Sequence, residues 1–422
     1  MSEELEIKNE MIKNERIGNE MIKNEMIKNE KIGNETNETS TIQVVEKWDD
    51  FDLNNNVLRG IYANGFENPS QIQKTAIKPL IDGRDLIAQA QSGTGKTGAF
   101  TIGSLQRVDI TQNTTQILIL APTHELVEQI TTVVTDIGQM MPGLVVQTLI
   151  GGTSTTEDAE KLRKTPPHII IGTVGRTYDM IRRRNIQMKT IKMFVMDEAD
   201  EMLSRGFKDQ IYDIYQYFNP NTIQVALFSA TMHEEMLQMT NKFMRNPVKI
   251  TVEAEKLNLE GIEQYYVAVE DDRAKFNTLK DIYGFLSLSQ CIIYCNSVPR
   301  VVDLYDAMMN DGFPVCCIHS SMNSQQRKNT ISDFRKGTYR VMISSDITAR
   351  GIDVQQVSTV INFDIPTCNR NYLHRIGRSG RWGRKGRGIN FVTRRDVNTL
   401  RNIENHYKIK IDELPANVIA TA

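Results

Sequence analysis

From residue 86 onward the chain runs twice through one pattern, a short apolar run, a stretch long enough for a helix, then another apolar run. The first series is Leu86–Ala88, Ile117–Leu120, Ile169–Ile171, Met193–Met196 and Val225–Phe228. Short continuous runs suit strands covered on both faces, because each alternating side then meets an apolar layer. The chain between them is long enough for crossover helices, so the pattern predicts a parallel sheet. A second series follows: Gln264–Val269, Cys291–Tyr294, Val315–Ile318, Val341–Ile343, Val360–Phe363 and Ile389–Val392. Between the series, Glu253–Gly261 is polar and poor in β-branched residues, as suits a hinge. We expect an α/β protein of two lobes, 46–251 and 263–422, joined by a short linker, 252–262.

The N-terminal segment breaks this pattern. From Glu6 to Glu35 it repeats a five-residue unit, as in Met11-Ile-Lys-Asn-Glu15 and Arg16-Ile-Gly-Asn-Glu20. On a helix such a step turns each Ile by about 140° from the last, and on a strand it sends successive Ile to opposite faces. Neither element buries a continuous stripe, so residues 1–45 read as a disordered repeat tail, either a tolerated expansion or a docking tail.

A formal charge of −2 argues against a uniformly basic coat, so any polyanion site must be local. No leader-like segment or membrane-length apolar run is visible, and we expect a soluble, intracellular, cytoplasmic protein with no membrane partner. The five cysteines form no CxxC pair and are expected to be buried thiols.

Three motifs carry the chemistry. Ala90-Gln-Ser-Gly-Thr-Gly-Lys-Thr97 follows an apolar run. Gly93 and Gly95 free backbone N–H groups to face phosphate oxygens at a helix start, beside Ser92 and Thr94. Lys96 adds charge near the outer phosphates, and Thr97 offers a hydroxyl to Mg2+. Ala90 stands where the usual GxxxxGK[ST] pattern has its first glycine. Asp197-Glu198-Ala199-Asp200 follows Met193–Met196, at the strand end where parallel sheets place ligands. Asp197 is a candidate metal ligand, and Glu198 a candidate base for the attacking water. His374-Arg-Ile-Gly-Arg-Ser-Gly-Arg381 can bring arginines to the charge that develops on a departing γ-phosphate. Three-residue spacing of Arg375, Arg378 and Arg381 favours directed contact over a solvated basic face. The set reads as an ATP-driven motor.

From Trp48 to the C-terminus the chain resembles the DEAD-box RNA helicases. Leu58-Arg-Gly-Ile-Tyr62, Arg205-Gly-Phe-Lys-Asp-Gln-Ile-Tyr-Asp-Ile214 and Ala349-Arg-Gly-Ile-Asp-Val-Gln-Gln-Val-Ser358 are most similar to its translation initiation factor 4A group. The resemblance implies two tandem RecA-like P-loop NTPase lobes. It implies an adenine-reading segment, Gly65–Gln73, in which Gln73 bonds the base, Phe66 stacks on it and Trp48 is the isolated upstream aromatic. Ser229 and Thr231 would couple ATP state to RNA by reporting on the Asp197 carboxylate. Gly351 and Asp353 would lie towards the ribose, and Arg378 and Arg381 would be paired arginine fingers. Gly151-Gly152, Thr173, Arg176, Arg327 and Ser345 would touch the RNA backbone, with little sequence preference.

The implied activity is RNA-stimulated ATP hydrolysis with local unwinding of short RNA duplexes, by a monomer recruited by a HEAT-repeat scaffold of the 4G type. Two other readings stay open: an ATP-gated RNA clamp as in the exon junction complex, and a competitor of a 4A factor that does not turn over. Departures from the family pattern gather on the RNA path. His124 replaces an arginine, Val174 a proline, Ser320 and Ser321 alter HGxM, and Ser324 replaces the glutamine of QxxR. We therefore expect an intact ATP site with retuned RNA coupling.

Overall fold

The computed structural model describes residues 43–90, 93–204, 206–232, 234–251, 262–286, 289–346, 357–379 and 386–415. Residues 1–42 of the expected tail and almost all of the expected linker lie outside the described residues, as do Ser92, Gly351, Asp353 and Arg381. Val45, expected in the tail, is instead buried in the first lobe's core.

Two seven-stranded parallel sheets form the molecule. The first comprises β1 (Leu86–Gln89), β2 (Ile117–Ala121), β3 (Val146–Leu149), β4 (Ile169–Thr173), β5 (Met193–Met196), β6 (Gln224–Ser229) and β7 (Val248–Thr251). Their order is β3-β4-β2-β5-β6-β1-β7. The second comprises β8 (Ile262–Ala268), β9 (Gln290–Cys295), β10 (Val315–Ile318), β11 (Val341–Ser345), β12 (Val357–Asn362), β13 (Gly386–Val392) and β14 (Asp412–Glu413), ordered β10-β11-β9-β12-β13-β8-β14.

Alternation explains why continuous apolar runs were needed. In β2, Ile117, Ile119 and Ala121 enter one core layer while Leu118 and Leu120 enter the layer on the opposite face. In β9, Ile292 and Tyr294 face one layer, Cys291, Ile293 and Cys295 the other. Each sheet is thus sandwiched between helices, and its loops are free only at the strand ends.

The apolar runs did not disclose β3, β7 or β14. All three are edge strands, each paired on one side only. Edge position relaxes the demand for apolar side chains on both faces: β3 reads Val-Gln-Thr-Leu, and β7 alternates buried with exposed. Buried Asp85 stitches three strands together. Its Oδ1 accepts from Val225 N (2.8 Å), its Oδ2 from Arg245 N (2.6 Å), and its own carbonyl from Val248 N.

The cysteine expectation needs correction. Cys291, Cys295 and Cys316 are buried, and burial pushes the Cys295 and Cys316 thiols up to about 12. Cys317 is half-buried, however, and Cys368 is exposed, because it precedes the helix Asn369–Ile376 in a surface loop.

Candidate active site

The loop after β1 leads into the helix Lys96–Arg107. Gly93 and Gly95 have φ of 85° and 99°, in the left-handed region that a β-carbon disfavours. Gly95 also has no room for one: a Cβ there would lie 2.6 Å from Ser70 Oγ and 2.8 Å from Gln73 Nε2. The loop is therefore moulded onto the helix Gln71–Ile81. Gln73 Oε1 accepts from Ser70 N (2.8 Å) and its Nε2 donates to Gly95 O (3.1 Å). An amide offers two lone pairs and two N–H groups, so each end keeps one bonding position for a base edge. Trp48 is 1 % exposed and packs edge-on behind half-buried Phe66, centroids 6.5 Å apart. That burial denies Trp48 a face to stack on a ligand and leaves Phe66 as the nearer aromatic.

Lys96 is buried, its Nζ donating to Ala90 O. Burial lowers its pKa, and the negative charges of Asp197, Glu198 and Asp200 oppose that shift. Across the loop, wholly buried β5 delivers Asp197 and Glu198 before the helix Ala199–Ser204. Burial raises the Asp197 carboxyl to about 7 against the pull of Lys96, and Glu198 and Asp200 push it further. Glu198 has φ of 49° and donates its N–H to Asp197 Oδ1 (3.0 Å). Its own Oε2 is buried without a hydrogen-bond partner. A strained backbone, an unsatisfied carboxylate and a destabilised neighbouring carboxylate together describe a place short of positive charge. With the glycine cradle, they fit a metal-bound triphosphate.

The expected coupling residues meet the last acid of the motif. Thr231 Oγ1 donates to Asp200 Oδ2 (2.7 Å), and Ser229 Oγ donates to Thr231 O (2.7 Å), so the described contacts tie this element to Asp200. His374 Nε2 comes to 3.9 Å from the same Asp200 oxygen. Burial raises the Asp200 carboxyl, but the neighbouring His374 imidazole, the Thr231 hydrogen bond and the nearby Ser229 hydroxyl outweigh it and hold the group well below the usual range. Sequence reading weighted the first two acids of the motif and overlooked Asp200 and His374. Both stood inside motifs already singled out.

The helix Asn369–Ile376 brings up the second lobe's arginines, and here the expected spacing argument fails for Arg375. Arg375 is 1 % exposed and donates to Asn362 Oδ1 (3.2 Å), Asp364 O (2.7 Å), Asn296 Oδ1 (2.7 Å) and Asp346 Oδ2 (2.8 Å). It is an internal brace of its own lobe. Arg378 is buried too, donates Nε to His374 O (3.1 Å), and lies near enough to Lys96 for its charge to lower the Lys96 pKa.

The DEAD/DEAH box helicase family model matches residues 70–239, and the helicase conserved C-terminal domain matches residues 274–383. The ATP-dependent RNA helicase eIF4A of Saccharomyces cerevisiae (strain YJM789) is 50 % identical over 381 residues, 90 % of this chain and 95 % of that protein. The chain is a DEAD-box RNA helicase. Among solved structures, S. cerevisiae Dbp5 bound to RNA and ADP BeF3 superposes with a TM-score of 0.81 at 34 % identity, over 87 % of this chain and 95 % of that one. A Dbp5 variant bound to Nup159, a Gle1 variant, IP6 and ADP reaches 0.63 at 32 % identity, over 87 % and 98 %.

Several residues that the helicase resemblance assigns to RNA are held by protein partners. Arg176 forms an ion pair with Asp158 and donates to Thr153 Oγ1 (2.8 Å) and Thr153 O (2.8 Å). Thr173 donates to Leu149 O (3.5 Å), Gly152 has φ of 82°, and Ser345 is buried at the end of β11. Arg327 Nη1 pairs with Glu125 Oε1 (2.8 Å) across the lobes. Val174 is buried in the core, at the start of the helix Val174–Arg182. His124 sits beside Gly151, within 3.3 Å of where a Gly151 β-carbon would lie, and burial lowers its pKa.

Proposed function

We propose that this ATP-dependent RNA helicase hydrolyses ATP only when its lobes close over RNA, separating short duplexes locally as a translation initiation factor of the 4A type. The carrying observation is that one charge cluster draws on both lobes. Lys96, Asp197, Glu198 and Asp200 come from the first, His374 and Arg378 from the second. The better superposition on Dbp5 bound to RNA and ADP BeF3 than on its ADP-bound assembly supports reading this arrangement as the closed state.

In this reading Gly93, Thr94, Gly95 and Lys96, with Ser92, hold the phosphates, while Phe66 and Gln73 hold the base with Trp48 behind them. Gly351 and Asp353 serve the ribose. Thr97 and Asp197 hold Mg2+, which when bound neutralises phosphate charge. Glu198 takes a proton from the attacking water, since its unpaired Oε2 has no competing donor. Arg378, with Arg381, meets the charge that grows on the transferred group. Ser229, Thr231 and Asp200 relay closure, and Gly152, Thr173, Arg176, Arg327 and Ser345 follow the RNA backbone. We assign 46–251 as the ATP-binding lobe, 252–262 as linker and 263–422 as the C-terminal lobe, in a cytoplasmic monomer docked on a HEAT-repeat scaffold.

Steady-state ATP hydrolysis with single-stranded RNA, single-stranded DNA or neither tests this. Stimulation by RNA alone is expected. Hydrolysis indifferent to RNA overturns the coupling, and tight ATP-dependent RNA binding without turnover makes the protein a clamp.

A further inference from the structure

A polar groove of about 420 Å3 lies between the helix His124–Gly138 of the first lobe and the helix Ser324–Arg335 of the second. Among the described residues, two ion pairs cross it. Glu125–Arg327 belongs to the motifs already described, with both side chains largely buried. The other, Glu128 Oε1 to Lys328 Nζ at 2.7 Å, has been given no role.

Glu125 and Glu128 are three residues apart and share one helix face, near an N-terminus where carboxylates are favoured. Arg327 and Lys328 lie near the N-terminus of the other helix, where cations are disfavoured, and no acid occupies its first turn. The opposing acids offset that local penalty only when the lobes meet. Neither Glu128 nor Lys328 braces its own lobe in the described contacts, since each side chain is partly exposed and its ion pair runs across the groove.

We propose that Glu128 and Lys328 are positioning residues: a second ion pair that sets the register of lobe closure beside Glu125–Arg327. It acts where His124, kept neutral by burial, supplies less charge than an arginine. The pair steadies the closed form and touches neither ATP nor the reacting atoms. This rests on reading the present arrangement as the closed state.

The test is closure itself, measured by energy transfer between dyes on the two lobes of the full chain with single-stranded RNA and a non-hydrolysable ATP analogue. Glu128→Lys and Lys328→Glu should each reduce the closure constant roughly three- to tenfold at low salt, as expected for exposed pairs turned into like-charge contacts. The double reversal should return it to within about twofold, and the single effects should shrink near 0.5 M salt. Failure of the double variant to recover overturns the proposal. So does tighter closure or RNA affinity in Glu128→Lys, which would assign Lys328 to RNA phosphates instead. Because closure is read without turnover, a protein that never hydrolyses ATP counts against the helicase mechanism and leaves this result standing.

Discussion

Replacing Glu198 by glutamine should make the protein more stable and nearly inactive. The side chain is 5 % exposed, its Oε2 has no hydrogen-bond partner, and its charge helps raise Asp197 to about 7. Gln keeps the length and the same left-handed backbone, so φ of 49° costs both residues alike and only the charge differs. Glutamine leaves a buried polar amide in the same place, so only the cost of the charge is relieved, less the attraction that Glu198 gives Lys96, and a net gain of about 1 kcal/mol in unfolding free energy is expected without nucleotide. General-base catalysis contributes about 10²- to 10⁴-fold, so RNA-stimulated turnover should fall by that factor, roughly 3–5 kcal/mol of barrier. The assay pairs steady-state hydrolysis at saturating RNA with urea unfolding of the nucleotide-free protein, and RNA binding with ATP should persist. Turnover within about threefold of the unaltered protein removes Glu198 from the base role. Lost turnover with a lower unfolding midpoint refutes the reasoning differently, by making the residue structural.

Arg375→Lys should destabilise the second lobe by about 3–5 kcal/mol in chemical denaturation, since an ammonium cannot serve the forked set of acceptors that the guanidinium fills. Arg378→Lys should instead lower kcat by roughly 10²- to 10³-fold with a much smaller stability change. Gly60→Ala, which in an exposed helix would stabilise, should cost about 1–3 kcal/mol, because its Cβ would lie 1.9 Å from Ile137 O in the neighbouring helix; a urea midpoint that rises refutes that packing. His168 Nδ1 accepts from Val145 N (2.9 Å), and burial lowers its pKa from 6.5. Its contribution to stability is therefore full above 6.5 and lost as pH falls from there through the folded value, a loss that His168→Gln should remove from the pH profile of unfolding.

Where sequence and structure agree, a residue's neighbours were implied by its own type. Interior strands must be apolar on both faces, so they were legible; edge strands such as β3 and β7 escape that rule and were not. The glycine loop was legible because φ above zero selects glycine locally. Arg375 and Arg378 sit three residues apart on one motif, yet one is a brace and the other reaches the phosphate loop. Nothing in their spacing separates them, because Arg375's acceptors come from three separate stretches of its lobe, at Asn296, Asp346 and Asn362–Asp364. Likewise, the linkage of Thr231 to Asp200, and of Glu128 to Lys328, depends on which loops the sheets bring together.

That dependence gives a reason for hydrolysis to wait on closure. With the lobes together, the first lobe contributes three buried acids around one buried lysine, with one glutamate oxygen unsatisfied and one aspartate pushed towards neutrality. Such a cluster lacks cations, and the second lobe supplies two cationic or cation-capable groups: His374 to Asp200 and Arg378 towards Lys96. His374 meets an acid and favours closure. Arg378 carries its charge into the same acid-rich cluster, close enough to Lys96 to lower the Lys96 pKa. A triphosphate adds negative charge there, so nucleotide strengthens the pull of the first lobe on Arg378. Closure therefore gains most at the residue that serves catalysis when nucleotide is bound, and truncating Arg378 should lower the closed fraction far more with ATP and RNA than without nucleotide. A loss of the same size in both states would refute this account.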